Sequence, residues 1–153
     1  MECSIPLKPF TVIATALLIT LIGGPALADH KVVIVASESS PLSAISSIDL
    51  RKIYLGIPLV EGKTRYVAIR NQSDSRLNEI FLQTLVSMSE RDYERRLLTL
   101  TLQSGRRRPI VVSDHESIVS ALKNNPQLVT YMWGEDFDRT RGLKVLRTLW
   151  HHQ

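Results

Sequence analysis

Ile69-Arg70-Asn71-Gln72-Ser73-Asp74-Ser75-Arg76-Leu77-Asn78-Glu79-Ile80-Phe81 is the stretch on which the fold turns. The run just before it, Tyr66 to Ile69, is strand-like. A polar turn follows, and then Leu77, Ile80, Phe81, Leu85 and Met88 recur at three- and four-residue spacing, which lines them along one helical face. An Asp or Ser ahead of that run is N-cap chemistry, a side-chain oxygen taking one of the orphan amides of the first turn. The same geometry points amides and the positive end of a dipole outward, which makes an anion site where hydroxyls and cations flank it. Ser73 and Ser75 supply hydroxyls and Arg70 and Arg76 supply charge, so these four are the candidate ligand-binding residues. Whether the turn holds an anion or only caps a helix is the functional question of the chain.

Upstream, residues 1–28 read as a secretory signal peptide. Lys8 gives a positive start, Phe10 to Ile22 is apolar or small apart from threonines, and Ala26-Leu27-Ala28 is a small-x-small cleavage site. The apolar run is short for a membrane span of about 20 residues. Cys3 lies before this run, so it is not a lipid-attachment site. Cleavage leaves residues 29–153 as one periplasmic domain of 125 residues with no cysteine, which excludes disulfides and thiol chemistry. It removes one lysine and one glutamate, so the net charge stays at +4, an excess too small and scattered to point to nucleic acid.

The chain then alternates strands and helices. Lys31 to Ala36 is a continuous β-branched run of the kind buried on both faces, and Ser37 to Pro41 is a polar turn. Ser46 with Asp49 forms a capping box for a short helix through Tyr54, stopped by Gly56. Arg65–Ile69 is a strand. Ser89 opens a helix that runs to Ser104-Gly105, with Tyr93, Leu97 and Leu100 buried and Glu90, Arg91, Glu94 and Arg95 on a solvated face. Arg106-Arg107-Arg108 reads as a solvated basic turn. Ile110–Val112 is a strand, and Ser113 with Glu116 caps a helix ended by Asn125-Pro126. Gln127–Met132 is a strand, Gly134–Asp138 an acidic loop, and Leu143–Leu146 a last strand before a trailing end. Short links between alternating elements predict an α/β fold with a mainly parallel sheet flanked by helices.

No constellation for catalysis appears. There is no nucleophile elbow, His115 sits in the first turn of a helix, and the adjacent His151 and His152 lack further metal ligands at fixed spacing. Glu135, Asp136 and Asp138 lack the spacing of a calcium loop. Trp133 and Trp150 read as core and rim packing. The expectation is a non-enzyme without cofactor or metal.

The order of motifs resembles the substrate-binding proteins of phosphate ABC transporters, specifically one lobe of the type II periplasmic-binding-protein fold. Leu50 to Gly56 looks like the family's Leu-x-x-Ile-Phe-x-Gly helix, Glu61-Gly62 precedes the strand and the Arg70–Phe81 turn-helix, and Asn125 to Tyr131 looks like its Asn-Pro-Gly-x-Ile-Gly-Tyr segment. The resemblance implies a turn whose hydroxyls and amides hold phosphate. Counting back from Phe81 places the family's serine at Ser75, with Arg76 and Leu77 where glycine and threonine stand, and Asn71 in place of an arginine beside Arg70. Asp74 adds negative charge where an anion would sit. About one of the family's two lobes is represented, so an anion would stay partly hydrated and weakly held.

Two expectations follow. One is a periplasmic binding protein for phosphate or a similar oxyanion at Arg70, Ser73, Ser75 and Arg76. The alternative is an interaction module, its pocket degenerate, that docks on a membrane-protein partner, a sensor or an envelope complex.

Overall fold

The structure, a computed structural model, describes residues 30–151. The signal-peptide reading of residues 1–28 lies outside them. β1 (Lys31–Ser37) is the strand around which the others assemble: Val32 to Ala36 are at most 2% exposed. Its side chains alternate between two cores. Val32, Ile34 and Ala36 face one side with residues of α1 (Ser47–Tyr54), α2 (Ser75–Phe81) and α3 (Glu90–Ser104); Val33 and Val35 face the other with Ile118 and Leu122 of α4 (His115–Asn124). This is the α/β sheet flanked by helices that the alternation of elements predicts.

The sheet order is β2 (Leu59–Glu61), β3 (Thr64–Asn71), β5 (Leu128–Trp133), β1, β6 (Leu143–His151), with β4 (Ile110–Val112) also on β3. Strand direction is mixed, which corrects the expectation of a mainly parallel sheet. β3 runs parallel to β4 and β5, whereas β1 is antiparallel to both neighbours, as β2 is to β3. Burial of β1 on both faces suggested parallel pairing, but helices on both sides of a sheet bury any central strand, whatever its direction.

Three other local readings change. Gly134–Asp138 is not a loop but part of α5 (Gly134–Arg139), whose Glu135 reaches His30 at 2.9 Å and whose buried Gly134 seats against the Lys31 side chain. β6 does not trail off after Leu146 but continues to His151, its extra length taken up by register shifts against β1. α4 begins one residue later than its apparent capping box, with Asp114 rather than Ser113 accepting from the Ser117 amide at 2.8 Å.

The stretch at 69–81 behaves as its spacing predicts. Leu77, Ile80, Phe81 and Leu85 are buried, although α2 passes into a π-helical turn, Leu82–Val86, that ends at Ser87 in the left-handed region. Phe81 stacks on Tyr131 with ring centroids 4.5 Å apart and planes 5° off parallel, and it meets Tyr54 at 4.7 Å and Tyr93 at 5.7 Å. One ring thus ties α2 to α1, α3 and β5. Truncating it leaves a large cavity, so Phe81→Ala is expected to cost about 3–5 kcal/mol, read from the midpoint of urea unfolding.

Candidate functional site

The turn after β3 is anchored from below. Asn71, at 1% exposure, donates from Nδ2 to Tyr131 O (2.9 Å), and Tyr131 Oη donates back to Asn71 O (2.9 Å). Tyr54 Oη and Thr130 Oγ1 both donate to Ile69 O, at 3.1 and 2.9 Å. Burial pushes the Tyr54, Tyr93 and Tyr131 hydroxyls up from their usual value, so they stay protonated and serve as donors. These bonds fix the end of β3 and therefore the position of everything on the turn.

On that base the turn satisfies itself. Asn71 Oδ1 accepts from the Ser73 amide (3.0 Å) and the Ser73 hydroxyl (2.6 Å). Asp74 is the N-cap of α2, and its Oδ1 accepts from the Leu77 amide at 2.7 Å. A carboxylate of the chain itself therefore sits at the helix tip, on an amide that an oxyanion would need. Ser73, Ser75 and Arg76 are exposed there.

Arg70 is not with them. It is 1% exposed and turned toward α3. Nη2 donates to Glu90 Oε2 and Oε1 at 2.5 and 2.6 Å and to Asn78 Oδ1 at 3.1 Å, while Nη1 donates to Glu94 Oε1 at 2.6 Å. The guanidinium lies over the Tyr93 ring, 4.9 Å from its centroid, and Arg108 pairs with the other Glu94 oxygen. Burial works most strongly against the Arg70 charge, but the hydrogen bond and charge of Glu90 together with Tyr131 and Tyr93 outweigh it, and the group is held above its usual value. The same bond holds Glu90 below the ordinary carboxyl value, against some burial and with help from Asn78. Of the Arg70 nitrogens, Nε is buried without a hydrogen-bond partner.

Glu90 and Glu94, with side chains 49% and 41% exposed, stay on the solvated face that the sequence assigned to them but turn one edge inward to Arg70. Glu90, Glu94 and Leu97 stand at i, i+4 and i+7, which sets the two carboxylates beside the buried side of α3, within reach of Arg70. That alignment was the available signal. The tyrosine hydroxyls gave none, because their acceptors are main-chain atoms far away in sequence.

In front of the turn, Asp74 and Arg76 line a groove of about 410 Å³ together with His30, Trp133, Glu135, Asp136 and Trp150. Three carboxylates stand there against one arginine and a histidine already paired with Glu135. Its field opposes an anion. Among the described residues no three His, Cys, Asp or Glu side chains group to hold a metal ion, and no helix is long and apolar enough to cross a membrane.

Against known proteins, no family model and no curated protein matches the chain. Solved structures do. An ABC-type phosphate transport receptor from Vibrio cholerae is 13% identical with a TM-score of 0.55, over 78% of this chain and 46% of that one. PstS from Borrelia burgdorferi is 14% identical with a TM-score of 0.55, over 77% and 47%. A phosphate ABC transporter substrate-binding protein with bound phosphate from Clostridium perfringens is 10% identical with a TM-score of 0.54, over 78% and 45%. That likeness shows the fold. The chain spans about half the length of these structures.

Two outcomes check the Arg70 network. Arg70→Ala removes a buried cation and its packing and is expected to cost about 3 kcal/mol, the low end for a buried pair because both glutamates can reach water. Glu90 has a folded-state pKa below its unfolded value of 4.5. Below that value the unfolded state binds more protons, so stability present at neutral pH falls as pH drops from 4.5 through the folded-state value. Urea midpoints measured down that range should fall more steeply for the native protein than for Glu90→Gln.

Proposed function

We propose that this chain is an exported, periplasmic binding-protein-like domain, residues 29–153, that acts by contacting another protein of the cell envelope and not by holding a free oxyanion. One observation carries the reading: the helix tip is occupied by the Asp74 carboxylate, at 2.7 Å from the Leu77 amide. Two features agree with it. Arg70 is committed to Glu90 and Glu94, and the groove before the turn is acidic. An incoming phosphate would have to displace a covalently tethered carboxylate and approach Glu135 and Asp136. The solved structures of the same fold are a phosphate transport receptor and a substrate-binding protein, which supports a non-enzyme.

A second reading stays in view because the solved structures of the same fold are phosphate-transport proteins, one of them with phosphate bound. In it, phosphate or a similar oxyanion binds weakly at Arg70, Ser73, Ser75 and Arg76. It needs Asp74 to rotate away and Arg70 to leave its glutamates.

Thermal unfolding with phosphate and with sulfate separates the two. A ligand of the folded state stabilises by about 2.7 kcal/mol at a hundredfold excess over its Kd. The protein-contact reading expects no rise in Tm at millimolar phosphate or sulfate, and none in Asp74→Asn, which keeps an N-cap oxygen without the charge. A rise in the native protein that Ser75→Ala abolishes would overturn it in favour of the oxyanion site.

A further inference from the structure

The arginine run 106–108 and the outer edge of β3 meet in a place the turn does not use. β2 pairs with Thr64–Tyr66 and β4 with Ile69–Asn71. The Val67 amide points to β5, bonding Gln127 O, and the Gln72 amide points to β4, bonding Val112 O. Since amides alternate along a strand, β2 and β4 share the edge of β3 that faces away from β5. Neither is paired with Val67 or Ala68, and a groove of about 390 Å³ opens over those two residues.

Its walls are apolar and basic. Ile53, Pro58, Pro109 and Ile110 supply the apolar surface, Arg65 and Arg107 the charge, and no carboxylate lines it. Arg108 also borders it but is paired with Glu94, whereas neither Arg65 nor Arg107 has an ion pair or side-chain hydrogen bond among the described residues. The wall is built in rather than draped. Gly56 has φ +79°, and a Cβ there would lie 2.6 Å from Arg107 O, so the arginine turn rests directly on the end of α1. The two short strands on this edge of β3 also carry Val60, Ile110 and Val111, each more than half exposed.

We infer that this groove receives an extended acidic segment of a partner protein, with an apolar side chain seated over Val67 and Ala68 and carboxylates on Arg65 and Arg107. Charge complementarity selects the partner: two unpaired guanidiniums beside an apolar floor match alternating acidic and apolar residues. A concave groove over an unpaired stretch of strand edge suits an extended chain and not the flat surface of a bilayer. The inference rests on the protein-contact reading above and gives it a surface.

The test uses the purified protein with a short blocked peptide of alternating glutamate and valine, and its lysine–valine counterpart. Binding is followed by fluorescence anisotropy and mapped by amide chemical shifts. The acidic peptide should bind, shift Val67, Ala68 and Ile110, and weaken about tenfold in Arg65→Glu/Arg107→Glu, the scale of reversed charges at an interface rim. The lysine peptide should not bind. Tm of the double variant, unchanged because both side chains are exposed, shows that it folds. No binding of the acidic peptide, equal binding of both peptides, or shifts confined to the Trp133–Trp150 groove would overturn the inference. So would cosedimentation with phosphatidylglycerol vesicles, or self-association, that the double variant abolishes while peptide binding is absent. If the peptide fails and phosphate still raises no Tm, the groove is wrong but the protein-contact reading stands; if phosphate does raise Tm, both fall.

Discussion

A guanidinium taken out of water must be surrounded by charge and hydrogen bonds, and in this protein that requirement organises everything near β3. Arg70 stands at the end of a central strand, 1% exposed, and draws Glu90 and Glu94 of α3, Asn78 of α2 and the Tyr93 face around it. A buried ion pair gives little net stability, because desolvation offsets attraction, but it strongly disfavours arrangements in which either partner is left alone. Its effect is therefore on geometry. It fixes how α2 and α3 sit relative to the strand, and the Phe81 stack on Tyr131 fills the space beneath.

That organisation also bears on function. The same fold occurs in solved phosphate-transport proteins. Here the charged groups near the turn are turned on one another. Asp74 faces the helix tip, Glu90 and Glu94 face Arg70, and the acids of α5 face the groove. The charges at the turn are thus satisfied within the chain, while exposed apolar and basic surface lies elsewhere, at the β2 and β4 edge.

Much of this was legible in the chain. Capping boxes at Ser46 and Ser89, the left-handed glycines 56 and 105, and the three-four spacing from Leu77 to Leu85 are local rules with local causes, and the elements they mark are present. What was not legible is nonlocal. Strand direction around β1 depends on which segments return to it, and its run of valines reads the same either way. α5 looks like a loop because it is six residues long, opens on a glycine and carries two aspartates, all weak helix signals; Gly134 against Lys31 and the His30–Glu135 pair supply the context. Of the four candidate ligands, Ser73, Ser75 and Arg76 lie on the exposed turn as their order suggests, whereas Arg70 is drawn inward by acids some twenty residues ahead.

The pairing of β1 with β6 carries one more implication. Lys31 lies opposite His151, so the first and last strands finish side by side at one pole of the sheet. Whatever chain precedes Lys31 and whatever follows His151 emerge from the same spot, close to the Trp133–Trp150 groove. A tether attached at either side would therefore hold the molecule by the same handle and leave the same flank turned outward.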